Sequence, residues 1–194
     1  MSNGSFSGEP STLWLTQDGD DRDMRLLEPF TFTDSSGKVW DAPAGAVIDG
    51  ASIPRALWTL VGSPYTGDYR RASIVHDIAS DRAGPDKGKR RAADRMFYQA
   101  CRAGGCSVEQ ATILYLGVRA GGIWPFVPQW APALAAQAMG PRLVRFAAED
   151  RLESDFRQAA EMVLAPGETD DIDEIERRAD VALSTIAGLD ASVL

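Results

Sequence analysis

Residues 49–77 read DGASIPRALWTLVGSPYTGDYRRASIVHD and lie where a strand-like pattern gives way to a helical one. The stretch begins with Asp49 and ends with His76 and Asp77, and His76 is the only histidine in the chain. Imidazole is the side chain best suited to accept and return a proton near neutral pH. His76 is therefore the first candidate for a catalytic residue in this sequence.

The residues before this stretch have the pattern of β-hairpins. Residues 30–33 (FTFT) alternate phenylalanine with threonine, and the turn-forming segment 34–37 (DSSG) follows them. Two-residue alternation interrupted by such turns predicts paired antiparallel strands. We expect a small antiparallel sheet over residues 13–50, preceded by a flexible Ser/Gly-rich N-terminus over residues 1–12.

The residues after Asp49 predict helices. Pro54 suits the first turn of a short helix, where its missing N–H has no cost, and Ser52 is placed to cap that helix. Apolar spacing predicts three longer helices over residues 68–82, 88–103 and 107–120. In the first of these, His76 borders the apolar face and Asp77 is rotated about 100° away from it.

From residue 141 onward the sequence becomes charged and strongly helical. Two helices, separated by Pro166 and Gly167, predict a hairpin added to the core. We therefore predict an α+β core domain over residues 13–130 and a C-terminal helical extension over residues 141–194. The predicted fold class is α+β, with a small N-terminal antiparallel sheet packed against a bundle of α-helices and the added helical hairpin.

The composition limits the classes of function. The 194 residues are 44% hydrophobic, which suffices for a core, and carry a formal net charge of −8. Such an acidic protein lacks the basic face that bulk nucleic-acid binding needs. Apolar runs are too short to span a membrane, and the first residues lack a signal peptide. We expect a cytoplasmic protein, with export through another route as the alternative.

A basic cluster interrupts the acidic whole around the start of the second long helix, and it consists of Lys87, Lys89, Arg90, Arg91 and Arg95. A solvated helix terminus is the simpler interpretation, and the alternative is a surface for phosphate or for the acidic face of a partner. Cys101 and Cys106 are the only cysteines. Two thiols form no disulfide framework, so we expect reduced thiols in or near the core.

The polar residues of the central stretch and of the next helix form a candidate site. The candidate catalytic residues are His76, Asp77, Asp49, Asp94 and Ser52, and the candidate substrate-binding residues are Arg55, Trp58 and Tyr69. His76 would accept a proton from a water or from Ser52, and a carboxylate would orient its second nitrogen. Arg55 suits an anionic group or a developing oxyanion.

A metal-dependent variant of this site is the weaker interpretation. One histidine with two carboxylates is the minimum of a hydrolytic zinc or iron site. The chain has no second histidine and hence no His-x-x-x-His spacing. The sequence therefore indicates no metal and no particular cofactor.

The order DGASIPR-x-LW followed by a His-Asp pair resembles the uncharacterised family known as domain of unknown function 1353, which is frequent in phages and prophages. The resemblance covers roughly residues 13–124, and the matching positions are Asp49, Ala51, Ser52, Pro54, Arg55, His76, Asp77 and Asp94. The family usually has aromatic residues after the His-Asp pair, whereas this chain has Ile78-Ala79-Ser80. The resemblance implies one constellation of residues and a phage-derived origin, and it implies no reaction. With a phage-derived origin, phage-type release or virion association is the alternative to a cytoplasmic location.

Each candidate residue also has a purely structural interpretation. Ser52 would cap a helix, Arg55 would pair with Asp77 or Asp94, and His76 would be a hydrogen-bonded residue at the core edge. Two functions from different classes are therefore compatible with the sequence.

The first is a hydrolase with His76 as general base, acting on a small-molecule or envelope substrate.

The alternative is a non-catalytic phage or prophage module with a structural, assembly or regulatory role. It would bind a protein partner through the aromatic loop of residues 124–130, which reads WPFVPQW, or through its C-terminal helices. Self-association through those helices is a further form of the same alternative.

Overall fold

The computed structural model describes residues 3–15, 23–49, 53, 57, 67–123 and 141–187. The six described strands are β1 (Ser5–Phe6), β2 (Thr12–Trp14), β3 (Met24–Leu26), β4 (Phe30–Thr33), β5 (Val39–Ala42) and β6 (Val47–Ile48). The five described helices are α1 (Arg70–Ala83), α2 (Lys87–Gly104), α3 (Val108–Ile123), α4 (Pro141–Leu164) and α5 (Ile172–Ala187). The predicted α+β class is confirmed.

The strands form two antiparallel sheets of three strands, in the orders β1-β4-β5 and β2-β3-β6, where one sheet was expected. Phe30 and Phe32 of β4 point into the core, as the alternation predicted. Strand β1 lies within the segment that was expected to be flexible. The ring of Phe6 packs 4.9 Å from that of Phe32, so one apolar side chain anchors this segment to the sheet.

Helix α1 is buried more completely than its sequence predicted. It packs against α2 and against strands β4, β5 and β6. His76 was expected at the border of the apolar face, but its side chain is fully buried. The expectation was wrong because a periodic pattern identifies one buried face, whereas α1 is covered by a sheet and a helix at once.

Helices α2 and α3 begin at side-chain caps. The Asp86 carboxylate accepts a hydrogen bond from the Lys89 N–H at 3.0 Å, and the Ser107 hydroxyl accepts one from the Gln110 N–H at 3.1 Å. Helix α3 continues through Gly121 and Gly122 to Ile123, although it was expected to end at residue 120. Burial of the preceding residues of α3 outweighs the modest helix penalty of two glycines.

Two described residues of the central stretch anchor it to the core. Ile53 and Leu57 are both buried. Ile53 lies against Gly117 of α3, where an added Cβ would stand 3.4 Å from the Ile53 side chain. This close approach ties the segment between β6 and α1 to α3. The short helix predicted at Pro54 lies outside the described residues.

The C-terminal helices share the core of the rest of the chain. Phe156 and Val163 of α4, with Ile175 and Leu183 of α5, belong to the apolar cluster that also contains the buried residues of the sheets and of α1. Helices α4 and α5 pack on each other, and both contact α3. The hairpin therefore covers the helical side of the core.

Two further expectations concern the thiols and membranes. Cys101 and Cys106 are free and buried, as predicted. Among the helices that the structure describes, none has the length and apolar character needed to cross a membrane.

Candidate functional site

His76 and Asp94 form a buried pair between α1 and α2. The Nε2 atom of His76 lies 2.8 Å from Oδ1 of Asp94, and the two residues are 0% and 4% exposed. A carboxylate only accepts hydrogen bonds, so this contact places the imidazole proton on Nε2. The ring of Phe97 packs 4.8 Å from the imidazole and holds it from the side. The hydroxyl oxygen of Ser80 also lies 3.3 Å from Nε2. The orientation of His76 is therefore set by one carboxylate, one hydroxyl and one aromatic ring.

The other imidazole nitrogen of His76 is left unused. Nδ1 is buried and has no hydrogen-bond partner within the described parts of the chain. With the proton on Nε2, Nδ1 carries a lone pair and can accept a proton. A buried polar atom without a partner is uncommon in folded proteins and requires an explanation.

Asp77 and Asp49 form a second pair, separate from the first. The backbone N–H of Asp49 donates a hydrogen bond to Oδ2 of Asp77 at 3.0 Å. Burial, assisted by the negative charge of Asp49, raises the pKa of Asp77 to about 8. Asp77 therefore holds a proton at neutral pH. The separation of Asp77 from His76 agrees with the expected rotation of about 100°.

Of the four remaining candidate site residues, only Tyr69 lies within the described residues. Ser52, Arg55 and Trp58 lie outside the described residues, so the contacts expected of them stay predictions. Tyr69 immediately precedes α1 and is buried. Burial is the main cause of its raised pKa, and the neighbouring thiols of Cys101 and Cys106 add to it. The substrate-binding role of Tyr69 also stays a prediction.

Arg119 is a member of this site that the sequence did not reveal. It is 5% exposed, and its guanidinium lies between two carboxylates. The Nη1 atom is 3.6 Å from Oδ2 of Asp94, and Nη2 donates a hydrogen bond to Oδ1 of Asp180 at 2.8 Å. A signal was present, because Arg119 is the only charged residue in the apolar run 111–123.

The acidic partners of the basic cluster come from α5. Arg91 contacts Glu176 and Asp180, and Arg95 contacts Glu176. Arg95 also pairs with Asp173 at 2.6 Å. The solvated interpretation is therefore wrong for these two arginines, which bind an acidic face belonging to the same chain. The spacing of residues 173, 176 and 180 places them on one face of a helix and was the available signal.

The buried atoms without partners all belong to this region. Besides His76 Nδ1, the described residues contain two such side-chain atoms, Tyr115 Oη and Arg119 Nε. Tyr115 lies one turn before Arg119 on α3, and burial raises its pKa. The network around Asp94 thus keeps unused hydrogen-bonding capacity on two elements.

The described residues contain no group of three or more His, Cys, Asp or Glu side chains arranged to hold a metal ion. The chemistry that they support directly is proton transfer. His76 Nδ1 can accept a proton, and the protonated carboxyl of Asp77 can donate one.

Part of this chain matches a known protein family. Residues 24–118 match the family described as Protein of unknown function (DUF1353). The resemblance to this family is confirmed over these residues, a shorter span than the expected 13–124. The DUF1353 match contains Asp49, His76, Asp77 and Asp94 and ends one residue before Arg119. Helices α4 and α5 lie outside it.

Two relatives come from Sinorhizobium fredii (strain NBRC 101917 / NGR234). The chain is 35% identical to uncharacterized protein y4jT over 130 residues, which are 66% of this chain and 35% of that protein. It is 30% identical to uncharacterized protein y4iH over 155 residues, which are 79% of this chain and 58% of that protein. The matching part of the chain thus spans about a third of the length of y4jT and somewhat over half of the length of y4iH. No solved structure matches it significantly.

Proposed function

We propose that this DUF1353 domain is a hydrolase in which His76 is the general base. The observation that carries the proposal is the geometry of the imidazole. Its Nε2 is bound to a buried carboxylate at 2.8 Å, and its Nδ1 has no partner among the described residues. A carboxylate that orients one nitrogen and leaves the other free is the arrangement that general-base histidines use.

In the proposed reaction, Nδ1 removes a proton from a water or from the hydroxyl of Ser52 while that oxygen attacks the substrate. Asp94 stabilises the imidazolium that forms. The protonated carboxyl of Asp77 supplies a proton to the leaving group, because its raised pKa keeps it neutral near pH 7. Arg55, Trp58 and Tyr69 are the proposed substrate contacts.

The complete burial of His76 favours water as the immediate proton donor, since a water fits against a buried nitrogen more readily than a substrate does. The phage or prophage origin implied by the family resemblance favours an ester, a cell-envelope polymer or a nucleotide as substrate. These three classes define the panel for the first assays.

The test is hydrolysis by purified protein against that panel. His76→Gln keeps an N–H group that can reach Asp94 and removes the base, so turnover should fall by about 100-fold or more while the fold persists. Ser73→Ala is the matched control, because Ser73 is also buried in α1 and, among the described residues, its hydroxyl bonds to the Tyr69 carbonyl at 3.2 Å. Equal turnover by a folded His76→Gln protein would show that His76 is not the base.

A non-catalytic module that binds a protein partner is the second proposal, and one observation favours it. Leu13 and Val47 flank Arg25 across the sheet β2-β3-β6, and all three side chains are exposed. Exposed apolar residues on adjacent strands are a feature of interaction surfaces. Under this proposal, Leu13→Ser with Val47→Ser abolishes partner binding and His76→Gln does not.

A further inference from the structure

The carboxylate of Asp94 lies between His76 and Arg119, and it contacts His76 more closely. Its Oδ1 atom is at hydrogen-bond distance from His76, at 2.8 Å. Its Oδ2 atom lies 3.6 Å from Arg119, which is an ion-pair distance but too long for a good hydrogen bond. Arg119 makes its hydrogen bond to Asp180 instead, at 2.8 Å. The guanidinium is thus drawn toward α5 and away from the His76 pair.

A direct hydrogen-bonded pair between Arg119 and Asp94 would be a strong interaction. A guanidinium next to a carboxylate tends to form paired, charge-assisted hydrogen bonds. Arg119 and Asp94 are both buried, so their attraction is weakly screened. A carboxylate engaged in this way by Arg119 would be a poorer acceptor for the Nε2–H of His76. Asp180 therefore decides how strongly Arg119 competes with His76 for Asp94.

Asp180 is itself held in place from α2. Arg91 contacts both Asp180 and Glu176. Residues 91, 94 and 95 lie within about one turn of the same helix. Helix α2 therefore carries both the carboxylate that orients His76 and the arginines that fix the acidic face of α5. This arrangement couples the position of α5 to the geometry of the pair.

We propose that Asp180 is a positioning residue for the His76–Asp94 pair and that α5 acts on the site through Arg119. Its relevance to catalysis rests on the proposed hydrolase function, whereas its geometric content does not. The proposal assigns a role at the site to a segment that lies outside the DUF1353 match. Loss of the Asp180 charge should release Arg119 toward Asp94 and weaken the imidazole hydrogen bond.

The experiment uses nitrogen NMR of the full chain labelled with ¹⁵N-histidine, where the only histidine gives an unambiguous signal. The natural protein should show the Nε2–H tautomer, with the Nε2 proton shifted downfield by Asp94. In Asp180→Asn this proton should move upfield, and the Nδ1–H tautomer should appear in about a tenth of the molecules or more. Asp180→Glu keeps the charge and should restore the original spectrum.

Two comparisons separate positioning from a general loosening of α5. Asp173→Asn removes another carboxylate of the same acidic face, but Asp173 is exposed and pairs with Arg95 rather than Arg119. Its imidazole spectrum should be unchanged. Adding Arg119→Gln to Asp180→Asn removes the competitor, so the double variant should regain the natural His76 spectrum even if its melting temperature is lower.

The proposal is overturned if folded Asp180→Asn has an unaltered imidazole spectrum, or if Asp173→Asn changes the spectrum equally. It is also overturned if the double variant keeps the altered spectrum, a comparison that still decides the question if Asp180→Asn alone fails to fold. Turnover is measured in parallel. The expected spectra without any effect of His76→Gln on hydrolysis would retain the positioning role and reject the hydrolase mechanism.

Discussion

Asp94 on α2 accepts a hydrogen bond from Nε2 of His76 on α1, at 2.8 Å, and the two side chains are buried together. This contact joins two helices by a polar bond inside an apolar interface. It also fixes the imidazole tautomer, because the carboxylate cannot donate. The same bond therefore contributes to stability and, under the proposed mechanism, prepares His76 for proton transfer. Substitutions must be designed to separate these effects.

Asp94→Asn should lower the free energy of unfolding by about 1–3 kcal/mol, because a neutral amide replaces a buried, charge-assisted acceptor and leaves Arg119 with less compensation. Urea denaturation measures the change. Asp155→Asn is the control, since Asp155 pairs at 3.7 Å with the exposed Arg151 and should have little effect. Equal losses in the two variants would contradict the importance of the buried pair.

Arg119→Leu should destabilise the protein by about 3 kcal/mol or more, because it leaves the buried Asp94 carboxylate without its neighbouring cation and removes one of the two arginines that contact the partly buried Asp180. Arg82→Leu offers a comparison at the surface. Arg82 makes two hydrogen bonds to the Asp41 carboxylate, but both side chains are about half exposed, so the loss should stay within about 1 kcal/mol. Chemical denaturation of both variants checks the difference, and similar values would contradict the burial argument.

The raised pKa of Asp77 predicts a pH dependence of stability. The folded protein keeps the Asp77 proton up to about pH 8, whereas the unfolded chain releases it near 3.8. Between these values the folded state binds more protons, so raising the pH favours unfolding. Each unit of pKa difference corresponds to about 1.4 kcal/mol.

Asp77→Asn removes this titration. Relative to the natural protein, the variant should gain stability as the pH rises from 5 to 9, as measured by denaturant unfolding at each pH. Glu161→Gln, an exposed position on α4, should follow the natural pH profile. A constant difference between Asp77→Asn and the natural protein across this range would show that Asp77 ionises normally.

Phe6→Ala should lower the free energy of unfolding by about 1–2 kcal/mol, because the ring is partly buried between β4 and Arg71. Hydrogen exchange should also become faster at the backbone N–H of Ser7, which bonds to the Thr31 carbonyl at 2.9 Å. Leu13→Ala, at an exposed position, is the control. Unchanged exchange at Ser7 would indicate that Phe6 does not anchor β1.

The elements of this fold were largely predictable because their signals are local. The alternation in residues 30–33 identified β4, and the helix predicted from residue 107 begins within one residue of the start of α3. The burial of His76 was not predictable in this way. A helical period shows which face is apolar, but it does not show how many neighbours will cover the helix.

The candidate site likewise contains one contact between residues that the sequence had singled out and one contact that the sequence did not indicate. The carboxylate that contacts the His76 imidazole is Asp94, one of the candidate residues, whose separation of 18 residues falls within the predicted run of helices. The link from Arg119 to Asp180 spans 61 residues and joins α3 to the added hairpin. No periodicity within either helix specifies that contact, because it depends on how α5 docks.

The sequence by itself determined that strands precede helices, that the chain has a single histidine, and which acidic residues could accompany it. These properties follow from side-chain spacing and from the intrinsic chemistry of each residue. Only the tertiary structure decided that Asp94 binds His76, that Asp77 is buried enough to hold a proton, and that α5 draws Arg119 away from the pair. Those outcomes depend on desolvation and on distances between segments, which arise when the helices and sheets pack around one core.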